Sequence, residues 1–345
     1  MKKMGKLRWG IVGFGAFTDL RMGPAIMSLP DHELIAIMSR NINKAKKYAK
    51  KYNVQYYYDS VQDLVNNPHI NAVYVVTPNY QHCQYTCMAA EKGLHILCEK
   101  PMAMNLKEAE RMVTVCCQNN VKLMIGNMMR FHSCHQWAKK CIKKGFLGEI
   151  TAVRAKLEFY LSPKPTQWRF VPKLSGGGAI MDVGIHCIDL LRYLIEKEVI
   201  QVSAFVNTQS YPFPIDIDSA ILVRFDNGIL GTINVSFNNK YANSGFEIFG
   251  TEGSLIGEGS IGQEPTGKVT LITSKRSRTY ESKLINPYAI EAEHFAKCIE
   301  NNKEPMINGE KGIKDLKICL AAYQSSQKNE TIDISSVTSS YSSLQ

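Results

Sequence analysis

The sequence predicts an α/β Rossmann domain, a doubly wound parallel sheet, followed by an α+β domain with an open, mainly antiparallel sheet. Three observations predict it. Short apolar runs alternate with helical patterns as far as Gly126. A glycine turn, Gly13-Phe14-Gly15, closes the first of those runs. Beyond Gly126, strand-like segments follow one another with few helices between them. The first two are the signature of parallel βα units, and the third of antiparallel pairing.

The elements follow in order. Residues 7–12 read as a strand and 33–39 as a second. A lysine-rich helix comes next, from Lys44 to Lys51. Residues 72–77, Ala-Val-Tyr-Val-Val-Thr, form a buried strand. Residues 82–92 form a helix closed by Gly93, and 95–98 another strand. A helix over 106–119 and a strand over 122–126 complete the pattern. After a helix over 134–144 come strands at 151–160, 200–208, 219–225, 229–237, 245–249, 254–257 and 269–273. Asp226-Asn227-Gly228 joins two of them as a hairpin turn. Helices are predicted at 178–195, 287–301 and 309–328. The expected division is 1–126 for the dinucleotide-binding domain and 127–334 for a substrate-binding and oligomerisation domain. A flexible serine-rich tail is expected over 335–345.

Composition excludes several classes. The chain has 345 residues, enough for two domains, and no apolar run long enough to span a bilayer. The basic start at Lys2, Lys3 and Lys6 is not read as a signal peptide, because the apolar stretch after it is short and glycine-rich. Ten cysteines show no CxxC pair, which fits reduced thiols in a cytoplasm. The net charge of +10 comes partly from the lysine-rich helix, which reads as a solvated face. No nucleic-acid recognition motif accompanies it, so neither nucleic acid nor membrane is expected as a partner.

The glycine turn points to a dinucleotide. Gly13 permits the tight turn, and Gly15 lets backbone approach a pyrophosphate. Thr18 stands where a third glycine is usual. At the end of the second strand the sequence reads Met38-Ser39-Arg40-Asn41. An acid there would hold a ribose 2′-hydroxyl and repel a 2′-phosphate. Ser39 and Arg40 do the opposite, so NADP(H) is expected in preference to NAD(H).

Two further groups bear chemistry. Glu99-Lys100-Pro101 ends a strand at the carboxyl edge of the sheet, where ligands bind in open α/β folds. Pro101 keeps Lys100 out of helical backbone and admits a cis bond. Asp182 and His186 are four residues apart on a predicted helix, hence on one face, with Asp189 one turn further. A carboxylate beside an imidazole orients it and favours its charged form, which suits a general acid or base. Zinc held by His186, Asp182 and a cysteine is the alternative. No metal is expected, because Lys100 already supplies positive charge.

Taken together, Gly13-Phe14-Gly15, Thr77-Pro78-Asn79, Glu99-Lys100-Pro101 and Gly176-Gly-Gly-Ala-Ile-Met-Asp182-Val-Gly-Ile-His186 resemble the Gfo/Idh/MocA family (glucose-fructose oxidoreductase, inositol dehydrogenase and rhizopine catabolism proteins). The resemblance implies that Lys100 binds substrate and assists proton transfer, with Asp182 and His186 in the substrate domain. It implies that Gly13, Phe14, Gly15, Thr77, Pro78, Asn79, His82 and Glu99 lie near the cofactor. It also implies that Trp168 and Arg169 reach the nicotinamide end. The stretches 246–257 and 265–271 resemble a subtype that reduces the ketone of an anhydroketose with NADPH. The expected function is therefore hydride transfer on a sugar or polyol, at a site between the domains, in a homodimer or larger homo-oligomer. Rival readings are an NAD-dependent inositol or polyol dehydrogenase, an NAD-dependent glycosidase and a non-catalytic sugar or redox sensor.

Overall fold

The computed structural model describes residues 6–164, 167–209 and 211–339. Lys2 and Lys3, invoked above, and tail residues 340–345 lie outside them. The chain divides into two units, 1–126 with 288–313 and 127–287 with 314–345. A linear reading gives 288–313 to the second domain, yet these residues complete the first. Phe295 packs its ring 5.8 Å from that of Trp9, Tyr288 meets Phe17 at 5.9 Å, and the Ile125 amide donates to the Ile307 carbonyl at 2.8 Å.

In the first unit β1 (Leu7–Val12), β2 (His32–Met38), β3 (Tyr56–Tyr58), β4 (Ala72–Val75), β5 (His95–Glu99) and β6 (Leu123–Gly126) form one parallel sheet. Their order is β3-β2-β1-β4-β5-β6. Trp9, Ile11, Val73, Tyr74 and Val75 are fully buried, as expected of strands covered on both faces. The direction of winding reverses between β1 and β4, so a crevice opens outside their carboxyl ends. Gly13 follows β1 and Thr77 follows β4, which puts both at that crevice.

β3 is a run of three tyrosines at the sheet edge, too short to show a periodicity. The helix after the glycine turn is broken into Ala16–Leu20 and Met22–Met27, with Arg21 at φ −120° and ψ −82°. Pro24 explains the break, since its ring would collide with the Leu20 carbonyl in a continuous helix.

In the second unit β7 (Ile150–Glu158), β8 (Val199–Asn207), β9 (Asp218–Phe225), β10 (Leu230–Ser236), β11 (Gly245–Gly250), β12 (Gly253–Glu258), β13 (Lys268–Thr273), β14 (Ser277–Glu281) and β15 (Ile332–Asp333) form one sheet. Their order is β14-β13-β12-β11-β7-β10-β9-β8-β15. Only β7 with β10 is parallel. Gly228 at φ 86° makes the β9–β10 hairpin turn. In β9, Ser219, Ile221, Val223 and Phe225 are buried, while Ala220, Leu222 and Arg224 face outward. Helix Ile185–Ile195 carries buried side chains at ten of its eleven positions. Strands β14 and β15 escape the sequence reading, because edge strands carry charge in place of alternation. Residues 334–336 form a single 3₁₀ turn and Val337 is buried, so order runs past the expected start of the tail.

Candidate functional site

The glycine turn has the shape its sequence requires. Gly13 sits at φ 98°, and a Cβ there would lie 2.8 Å from both the Val76 carbonyl and Thr77 Cγ2. A Cβ on Gly15 would meet nothing closer than 3.8 Å, so space stands open in front of it. The Gly13 and Phe14 amides both donate to the Met38 carbonyl, at 3.1 and 2.7 Å, which ties the turn to the end of β2. The Phe14 ring is buried between Tyr48 and Tyr52, at 4.8 and 5.3 Å. Phe14 therefore offers a ligand backbone only. Thr18 is buried as well and fills the space a third glycine would leave. Thr77 Oγ1, beside Gly13, is buried and has no hydrogen-bond partner among the described residues.

A cleft of about 360 Å³ opens at the carboxyl end of β2. Met38, Arg40, Asp59, Ser60, Gln84 and Tyr85 line it. Arg40 is exposed there, while the Ser39 amide is engaged by the Tyr58 carbonyl at 3.1 Å. The segment after β3 brings Asp59 and Ser60 to the same place. Neither was singled out from sequence, because β3 itself was not foreseen.

Lys100 stands at the end of β5, and the Lys100–Pro101 peptide is cis. Glu99 turns inward: its Oε1 accepts from the Tyr74 hydroxyl at 2.5 Å and its Oε2 from the Lys100 amide at 3.3 Å. Gly126 makes room for it, since a Cβ there would approach Glu99 Oε1 to 3.1 Å. Burial, then the Glu99 charge, pushes the Tyr74 phenol well up, so it remains a donor. His82 is fully buried, with Nδ1 2.8 Å from the Pro101 carbonyl and Nε2 2.8 Å from the Thr77 carbonyl. Both ring nitrogens are occupied by backbone. His82 thus braces the Thr77-Pro78-Asn79 loop against the Lys100-Pro101 turn, and it presents neither nitrogen to a ligand. Burial lowers its pKa.

In the second unit, His186 lies at the start of helix Ile185–Ile195, after a π-helical turn Ile180–Gly184 that carries Asp182. Nδ1 of His186 is 2.8 Å from Oδ1 of Asn127. Asn127 is buried and directly follows β6, and sequence reasoning passed over it. An amide oxygen can only accept, so Nδ1 carries the proton in this contact. Asp182 Oδ2 accepts from Arg169 Nε at 3.1 Å, and the Arg169 guanidinium lies 4.6 Å from the Trp168 ring centre. Trp168, Arg169 and Asp182 are thus brought to one neighbourhood. Among the described residues no three His, Cys, Asp or Glu side chains gather as a metal site.

Asp216 and the triple glycine shape that helix start. Asp216 Oδ1 accepts from the Gly178 amide at 2.5 Å and the Tyr323 hydroxyl at 2.6 Å. Its Oδ2 accepts from the Ile180 amide at 2.7 Å, and its backbone carbonyl from the Ala179 amide at 2.9 Å. Such closeness requires glycine. A Cβ on Gly178 would fall 1.9 Å from the Asp216 carbonyl oxygen, and one on Gly177 2.2 Å from the Tyr323 hydroxyl. The glycines are therefore packing devices for the segment that presents Asp182 and His186.

One turn beyond His186, Asp189 joins a buried charge cluster with Arg130, Arg192 and Asp315. Burial raises the Asp189 carboxyl, but the charge and hydrogen bonds of Arg130 outweigh this and hold it low. Burial pushes Asp315 up to about 8, against the attraction of Arg192. A carboxyl raised in the folded state adds stability that is fully present below its ordinary value of 3.8 and is lost as pH rises through about 8. The melting temperature is expected to decline over that window. Asp315→Asn, which mimics the protonated form, should flatten the decline in thermal melts between pH 5 and 8.

Comparison with known proteins agrees with this architecture. A profile described as oxidoreductase family, NAD-binding Rossmann fold, matches residues 7–127, and one described as GFO/IDH/MocA C-terminal domain matches residues 135–256. The 1,5-anhydro-D-fructose reductase of Ensifer adhaerens is 30% identical over 95% of this chain and 98% of its own. The D-xylose 1-dehydrogenase [NADP(+)] of Haloarcula marismortui is 30% identical over 94% of this chain and 92% of its own. The crystal structure of aldose-aldose oxidoreductase from Caulobacter crescentus, complexed with glycerol, superposes with a TM-score of 0.90. It is 27% identical and covers 95% of this chain and 99% of its own. Relatives named for NADP and others named for NAD both occur. No described helix is long and apolar enough to cross a membrane.

Proposed function

The chain belongs to the Gfo/Idh/MocA oxidoreductases, and from that premise we propose that it transfers hydride between NADP(H) and a carbonyl or hydroxyl carbon of a sugar-like substrate. The observation that carries the reading is the His186–Asn127 bond, which supports Nε2 as the position where His186 exchanges a proton. The residues of the first unit fit a dinucleotide. Gly13 and Gly15 leave a cradle that a Cβ would fill, Thr77 Oγ1 is buried without a partner, and a cleft adjoins Arg40. When bound, the dinucleotide supplies or accepts the hydride at its nicotinamide.

The chain's own residues supply the rest. The Lys100 ammonium binds and polarises the substrate oxygen, and a fixed cation at a developing oxyanion is the larger kind of contribution. His186 gives that oxygen a proton from Nε2 on reduction and takes one on oxidation. Arg169 holds Asp182 in the π-helical turn that leads into the His186 helix. Among sugar-like ketones, similarity to the Ensifer reductase makes 1,5-anhydro-D-fructose the first to test. A panel of ketoses, anhydroketoses and polyols, followed by NADPH absorbance, tests the reading, and no turnover across the panel would refute it.

Arg40 supports NADP(H). Arg40→Ala is expected to weaken NADPH binding about 10- to 100-fold, the worth of one charge-assisted contact, while NADH binding stays put. Calorimetric titration of both dinucleotides reads the difference directly. Asp59 in the same cleft favours the second reading, an NAD(H) enzyme, because a carboxylate repels a 2′-phosphate. Tighter binding of NADH than NADPH by the unaltered protein would establish it. Assembly as a homodimer or larger is supported by Phe205, Leu222 and Leu230, apolar side chains exposed on the outer sheet face.

A further inference from the structure

Asn127 holds His186, and a buried ion pair lies one turn along from both. Arg130 is 4% exposed and Asp189 0%. Arg130 Nε lies 2.9 Å from each Asp189 carboxylate oxygen, and Nη2 adds a contact to Oδ1. Asn127 and Arg130 belong to one short turn: Asn127 precedes the 3₁₀ segment Met128–Phe131, and the Arg130 amide donates to the Asn127 carbonyl at 3.3 Å. His186 and Asp189 are about one turn apart on helix Ile185–Ile195. The same turn therefore grips the same helix twice, once through a neutral bond and once through a charged fork. Further along, Lys139 Nζ donates to the carbonyls of Tyr193 and Leu194, at 2.6 and 3.0 Å, and clamps the far end of the helix.

Stability alone does not account for the fork. Desolvating two ions is costly, and packed apolar side chains of similar volume commonly hold a fold as well or better. Apolar packing, however, is non-directional. A helix that turned a little about its axis would bury the same area. A guanidinium bonded to both oxygens of a carboxylate accepts only one arrangement. We propose that Arg130 and Asp189 are a positioning pair: they set the rotation of the His186 helix against the Asn127 turn, and thereby keep the proton on Nδ1 and the exchange at Nε2. The proposal rests on the reading of His186 as proton donor and acceptor.

The test separates the two claims. In the double variant Arg130→Met with Asp189→Leu, the melting temperature is expected to stay within a few degrees of the parent. The ¹⁵N spectrum of His186, recorded on the protein without substrate and assigned with His186→Asn, should change from one neutral tautomer to a mixture of both. In the same variant kcat should fall about 10²-fold, as for a catalytic group slightly misplaced, with KM and dinucleotide affinity unchanged. A folded double variant that keeps a single tautomer overturns the proposal. If the double variant does not fold, Arg130→Lys decides. It keeps the charge but loses the fork, so a mixed tautomer is expected and a single one refutes. A mixed tautomer with full turnover would support the positioning pair and refute the catalytic role of His186 instead.

Discussion

Replacing Lys100 with alanine, or His186 with alanine, is expected to lower kcat by about 10²- to 10⁴-fold, the usual worth of a positioned acid, base or oxyanion partner. Dinucleotide affinity should change little, because the glycine turn and the Arg40 cleft are untouched. Steady-state kinetics alongside dinucleotide titration separates the two effects. Unchanged turnover in both variants would refute the assignment of roles.

The second large effect concerns Gly178. Its missing Cβ would overlap the Asp216 carbonyl oxygen at 1.9 Å, and backbone cannot step aside as a flexible side chain can. Gly178→Ala is expected to destabilise the fold by about 3 kcal/mol or more. Any folded protein that remains should turn over slowly, because the segment bearing Asp182 and His186 must shift. Gly184 is the built-in control. A Cβ there meets nothing closer than 3.6 Å, so Gly184→Ala should be neutral or stabilise by up to about 1 kcal/mol through helix propensity. Denaturant melts of both variants measure the contrast, and equal midpoints would refute the packing role of Gly178.

Much of the architecture is legible in the sequence, because strand-helix alternation and continuous apolar runs are direct consequences of a sheet covered on both faces. Lys100, Asp182 and His186 stand out in the sequence because they lie in distinctive local strings. Asn127 is not. A lone Asn after a strand resembles any turn residue, and its value lies in reaching a histidine far along the chain. Asp216 and Asp59 escape for the same reason, since each acts on a segment brought near only by the fold. His82 is the converse case. Its motif is recognisable, but only coordinates show that backbone carbonyls occupy both nitrogens. Phe14 likewise reads as part of the ligand turn, yet its ring belongs to an aromatic cluster.

The return of residues 288–313 to the first unit has a consequence for the order in which the protein is made. A ribosome delivers all six parallel strands early, yet the ring that covers Trp9 and the carbonyl that meets the Ile125 amide arrive only with residues 288–313. Until then the nascent sheet keeps an uncovered apolar surface, the kind of surface that chaperones bind. A fragment that stops at Gly126 would inherit that uncovered state permanently. Limits for expressing the nucleotide-binding part alone should therefore join 6–126 to 288–313 through a short linker, and not follow the linear boundary.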